Sequence, residues 1–97
     1  SGRVEGSVFY DENGDFVRQA SEKPAAGVVV ILDGRYEART DSQGRYVFEP
    51  VFTGGHQVEV PVSELPLPWG LHNETPQIVN VGIRSPGEAN FALSRFD

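Results

Sequence analysis

The sequence predicts an all-β protein, an antiparallel sandwich of about seven strands, and three observations carry that prediction. Eleven glycines and seven prolines punctuate the chain roughly every eight to twelve residues, the rhythm of short strands joined by turns. Between them, apolar residues either alternate with polar ones or run together for no more than a strand's length. No helix of useful length is visible, because the one candidate, Val62-Ser63-Glu64-Leu65, is a single turn trapped between prolines.

The strands follow in order. Val4, Gly6 and Val8 alternate with Arg3, Glu5 and Ser7 to give the first. The run GVVVILD, after Pro24, is the second, apolar on both faces as a strand buried on both sides or at an interface would be. Asp33-Gly34 is a tight hairpin signal, since aspartate and glycine accept positive φ at low cost. Tyr36 to Thr40 forms the third strand and ends at the turn Asp41-Ser42-Gln43-Gly44. Tyr46 and Phe48 point inward on a fourth, and Val58 and Val60 on a fifth. From Pro61 to Pro76 four prolines remove ladder donors, so a continuous central strand is not expected there. Two last strands, about Gln77 to Ile83 and Ala89 to Leu93, are joined by Ser85-Pro86-Gly87. A single sheet of this many strands cannot cover its own apolar face, whereas two sheets packed face to face can. The expected core is Val4, Val8, Val28, Val30, Leu32, Tyr46, Phe48, Val58, Val60, Phe91 and Leu93. Val29 and Ile31 lie on the opposite face, under a neighbouring segment or as a patch for an adjacent module.

Ninety-seven residues make one domain, 1–97, with one core. The net charge of −6 argues against nucleic acid, because no basic stripe exists to neutralise phosphates. There is no cysteine, which removes disulfides and thiolate metal sites. There is also no methionine, so the chain reads as a piece of a longer multidomain protein, with Ser1-Gly2 as a cloning remnant. No apolar run has the length of a membrane span, so direct membrane insertion is not expected.

The segment most informative about function is DENGDFVRQASE, from Asp11 to Glu22. Counting Asp11 as the first position, oxygen-bearing side chains fall at Asp11, Asn13, Asp15, Gln19 and Glu22, and the carbonyl of Val17 stands at the seventh place. That is the spacing by which a twelve-residue loop wraps calcium. The competing reading is a polar hairpin loop held by Asx-turn hydrogen bonds.

The stretches VEGSVFYDENGD, AAGVVVILDG, TDSQGRYVFEPV and GGHQVEV together resemble the B-type repeats of bacterial surface adhesins, the serine-aspartate-repeat proteins and collagen-adhesin stalk modules. The resemblance covers about residues 3 to 60, and 88 to 95 more loosely. It implies a seven-stranded, antiparallel Greek-key sandwich of the prealbumin (transthyretin)-like kind, shared with carboxypeptidase regulatory domains. It further implies a spacer or adhesion module in an extracellular or envelope setting, with neighbouring domains of the same chain, a host or surface protein, or a glycan as partners. Calcium in the first loop is implied as well. Two departures predict weaker binding: Asp15-Phe16 stands where the family's loops carry Asp-Gly, with the glycine earlier at Gly14, and Gln19 replaces an acid. The isopeptide crosslink of some stalk modules is not expected, because the sole lysine, Lys23, sits beside Pro24 in a loop.

The remaining candidates have structural readings beside functional ones. His56 stands where an aromatic commonly opens the fifth strand, which favours a structural role. Trp69 and His72, in PLPWGLHNE, suggest a ligand site: a tryptophan in a stiff proline-rich loop is an anchor for a peptide or a stacking platform for a sugar. The same ring would serve equally as a lid over the open end of the sandwich. His72 and Glu74 lack a third ligand or nucleophile at a recognisable spacing. The fold that the resemblance implies also hosts 5-hydroxyisourate hydrolases and ring-cleaving dioxygenases. The chain ends Leu93-Ser94-Arg95-Phe96-Asp97 instead of in the hydrolases' tail, and Tyr36 and Tyr46 have no histidine nearby in sequence. The expectation is therefore a module without catalytic activity.

Overall fold

The computed structural model describes residues 2–12, 22–73 and 75–95. Nine strands fall among them: β1 (Gly2–Tyr10), β2 (Val29–Leu32), β3 (Tyr36–Arg39), β4 (Arg45–Val51), β5 (Gly54–Glu59), β6 (Trp69–Leu71), β7 (Gln77–Val81), β8 (Gly87–Glu88) and β9 (Phe91–Arg95). The only described helical element is a 3-10 turn, Val62–Glu64, at the place the prolines left for it. Two sheets result. One has the order β4-β1-β9-β6, with β8 also paired to β1, and the other has the order β3-β2-β5-β7.

Local chemistry explains the turns. Asp33 and Gly34 both take positive φ, 54° and 65°, and the Arg35 N–H donates to the Leu32 carbonyl at 3.0 Å. This is the mirror-image turn whose twist matches that of the flanking strands. In the next turn Asp41 Oδ1 accepts the N–H groups of Gln43 at 2.8 Å and Arg45 at 2.9 Å. Gly44 closes it with a φ of 74°.

All eleven residues expected in the core are buried, none more than 8% exposed. Val4, Val8, Tyr46, Phe48, Phe91 and Leu93 come from the first sheet and meet Val30, Leu32 and Val58 from the second. Each large apolar side chain so buried stabilises the fold by about 1.5–3 kcal/mol. Ala25, Leu65, Val79, Val81 and Ala89 complete the cluster. On the outer face of β2, Val29 is buried and Ile31 half-buried.

The strand count and direction differ from the expectation of seven antiparallel strands. Trp69–Leu71 forms β6 inside the proline-rich segment, pairing with β9. Three residues between Pro68 and His72 suffice for a short ladder at a sheet edge, where the outward side needs no donors. The final segment is split in two, and both parts run parallel to β1: Val4 beside Gly87, then Val8 beside Phe91. At the break, Asn90 Oδ1 accepts the Ser7 N–H at 2.9 Å and replaces a ladder bond. The first sheet is therefore mixed.

Candidate functional site

The end of the molecule where β1 runs out carries Asp11 and Glu22, two of the residues singled out for calcium, and Trp69 and His72, those singled out for ligand binding. Strand β1 stays in the ladder up to its last residues. The Asp11 N–H donates to the Leu93 carbonyl at 2.8 Å, and the Tyr10 N–H to the Lys23 carbonyl at 3.0 Å. Ala25 N–H reaches the Val8 carbonyl at 2.9 Å, and Phe9 bridges Pro24. The chain therefore leaves and returns through a hydrogen-bonded neck. Asp11 and Glu22, loop positions one and twelve, stand at that neck, each 4% exposed. Glu22 Oε2 accepts the Glu12 N–H at 2.7 Å, tying the end of the loop to its beginning. A buried carboxylate is costly unless donors or a cation meet it, so two at one neck are chemically specific. Asn13, Asp15, Val17 and Gln19 lie outside the described residues, as does Glu74. Among the described residues no group of three or more His, Asp or Glu forms a metal cluster.

His72, which the sequence placed in a separate site, stands beside this neck. Its Nδ1 is 3.9 Å from Asp11 Oδ2 and 2.9 Å from Ser94 Oγ, and its backbone N–H donates to the Ala92 carbonyl at 3.0 Å. The set Asp11, His72 and Ser94 is reminiscent of a hydrolytic triad, but the geometry is wrong for one. A triad needs the nucleophile on one ring nitrogen and the orienting acid on the other. Here both approach Nδ1, so His72 cannot relay a proton from Ser94 while Asp11 steadies it.

Trp69 is part of β6, opposite Arg95 of β9. Its half-buried ring packs against the core and against Tyr10, with ring centroids 4.6 Å apart at an interplanar angle of 54°. The Arg95 guanidinium lies 5.8 Å from the ring centre. Asn73 follows as a ladder cap, its Oδ1 accepting the Ala92 N–H at 2.7 Å. Trp69, Tyr10, Asp11 and His72 thus share one end of the first sheet. Sequence spacing carried no signal for this grouping, because the β6–β9 and β1–β9 pairings create it.

His56, at the other end of the molecule, is held on both sides. Nδ1 meets Asp33 Oδ2 at 2.7 Å and Nε2 meets the Phe52 carbonyl at 2.6 Å. These contacts raise its pKa above the usual histidine value, the Asp33 carboxylate first and the Phe52 carbonyl next. Partial burial works to raise the Asp33 pKa, but the Gln57 N–H and His56 outweigh it and hold the carboxyl below its ordinary range. Tyr46 is shifted upward, chiefly by burial and then by Glu88 and Glu5.

No family model matches the chain, and no curated protein matches it.

Proposed function

We propose that the chain is a non-catalytic structural module, a spacer or adhesion-associated unit of a secreted or cell-surface bacterial protein, stiffened by calcium in its first loop. The observation that carries this reading is the neck: loop positions one and twelve are two buried carboxyls held across a hydrogen-bonded strand pair. A cation there would join the loop's two ends. The sheet order supports the prealbumin-like, Greek-key part of the reading. Omitting the short β6 and β8 leaves seven strands, β1, β4 and β9 in one sheet and the consecutive pairs β2-β3 and β5-β7 in the other, with β4 returning beside β1 and β5 beside β2. The one-sided placement of Ser94 and Asp11 on His72 favours a module without catalysis. Carbohydrate or peptide binding through Trp69 fits less well, because its ring already contacts Tyr10 and Arg95.

The test is a thermal melt of metal-stripped protein with and without millimolar calcium, repeated with Asp11→Asn and Asp15→Ala. At a hundredfold excess over Kd, linkage predicts about 2.7 kcal/mol of stabilisation, a rise in Tm of many degrees for a domain of this size. Both substitutions should abolish the rise. Trp69 supplies a second readout, since its ring rests on Tyr10, the residue before Asp11. A melt and a tryptophan spectrum both indifferent to calcium would sink the proposal.

A further inference from the structure

We infer that the free edge of β7 is an interface at which two copies of this chain pair, antiparallel and about a two-fold axis at Val79, so that their two second sheets become one. Strand β7 ends the sheet of order β3-β2-β5-β7, and no described strand pairs with its outer side. Neither Asp11 nor Glu22 belongs to this edge, so the pairing stands apart from the calcium reading.

Backbone direction identifies the groups on that edge. The Gln57 carbonyl accepts the Asp33 N–H at 2.8 Å, and the Gln57 N–H donates to Asp33 Oδ1 at 2.9 Å, so both face the β2 side of β5. Bonding direction alternates along a strand, and His56 and Val58 therefore face β7. The β5–β7 register is unbroken from Gly54 beside Val81 to Val58 beside Gln77. Gln77, Val79 and Val81 thus bond to β5. The N–H and carbonyl groups of Ile78 and Asn80 point outward, with no partner among the described residues. The free edge is bounded on both sides. Pro76 has no N–H, and the Gly82 N–H is taken by the Ser85 carbonyl at 2.9 Å.

The occupant that fits this edge is another β7. Centred on Val79, an antiparallel pair sets Ile78 of each copy opposite Asn80 of the other, and each such pair exchanges both of its bonds. A longer foreign strand would find no further residue with which to exchange both. Ile78, 64% exposed, comes diagonally across from its counterpart, within reach of an apolar contact. Charge selects the same edge. A net charge of −6 on each copy opposes association in general, and natural edge strands are commonly guarded by charge, proline or brevity. Strand β3 carries Glu37 and Arg39, β4 carries Arg45, Glu49 and Pro50, and β6 has three residues. The β7 sequence Gln77-Ile78-Val79-Asn80-Val81 has neither charge nor proline. It is the described sheet end at which two copies meet with no charged side chain in the ladder.

The test is sedimentation equilibrium of the wild-type protein from micromolar to millimolar concentration, with native-state amide hydrogen exchange at both ends of that range. A monomer–dimer equilibrium that stops at the dimer is expected, since a two-fold interface closes on itself. The Ile78 and Asn80 amides should exchange at least tenfold more slowly in the dimer. Asn80→Pro removes an outward N–H, and Ile78→Lys sets like charges diagonally across the axis; each should weaken association at least tenfold. Mixing Ile78→Lys with Ile78→Glu protein should restore it, which requires the two copies of position 78 to be neighbours. Hydrogen exchange on unaltered protein decides the matter should a variant fold poorly. Monomers at millimolar protein, assembly past the dimer, slowed amides centred elsewhere, or a dimer indifferent to these substitutions would each overturn it.

Discussion

His56 faces an acceptor on each ring nitrogen, the Asp33 carboxylate and the Phe52 carbonyl, so the doubly protonated imidazolium is the form that satisfies both. The pair joins the β2–β3 turn to the start of β5, and Asp33 also accepts the Gln57 N–H at 2.9 Å. Because the folded pKa of His56 lies above the unfolded value near 6.5, its contribution is fully present below that value and is lost as pH rises through the folded one. Asp33 has the opposite sign: with its pKa lowered, its contribution is present above the unfolded value near 3.9 and lost as pH falls through the folded one. The clamp is therefore strongest between about pH 4 and 6.5. Tm should fall between pH 6 and 8 in the wild type, and His56→Gln should flatten that slope. An equal slope in both proteins would show that His56 does not titrate as argued. Glu37, Glu49 and Tyr36 line one surface groove with His56, so the comparison with the variant is what isolates the histidine.

Between elements, the tightest approach is where the returning segment crosses β1. A Cβ at Gly6 would fall on the Ala89 backbone and within 2.8 Å of the Tyr46 hydroxyl, and that hydroxyl donates to the Ala89 carbonyl at 2.6 Å. Gly6→Ala must push β8 and β9 off β1, and overpacking of this kind costs about 1–3 kcal/mol. Tyr46→Phe keeps the ring and leaves a buried carbonyl without that donor, a loss of about 1–2 kcal/mol. Urea unfolding should show both variants destabilised and coupled, since they disturb one contact; independent, additive effects would contradict the shared crossing. Sequence patterning announced Gly6 only as a member of an alternating strand. Its need for space comes from Ala89, which a local reading cannot place beside it. The same limit hid the neighbourhood of Asp11 and His72, and the clamp of Asp33 on His56. The inward residues of β1, β2, β4 and β5 and the Asp33-Gly34 turn were legible, because alternation and turn chemistry are local. Strand β6 was not, because prolines on its N-terminal side mask a three-residue ladder that β9 alone makes worthwhile.

At the scale of the molecule, β1 is the strand that holds the first sheet together. It pairs with β4 on one side and with β8 and β9 on the other, and its Val4 and Val8 are fully buried. Strand β9 closes the chain by running parallel to β1, so the first and last thirds of the sequence share one ladder. By contrast, β6 contributes three half-buried residues at an outer edge, and β3 has one paired side and mostly exposed side chains. Opening free energy follows burial and pairing, so amides at sheet centres exchange through global unfolding and those at edges through local fraying. Native-state hydrogen exchange should therefore rank the ladder amides of β1 and β9 slowest, with β2 and β5 close behind. The amides of β6 and those of β3 on its unpaired side should exchange at least a hundredfold faster. If β6 proved as protected as β1, the proline-flanked strand would be an integral member of the sheet, and Trp69 would have to be counted with the core it now borders.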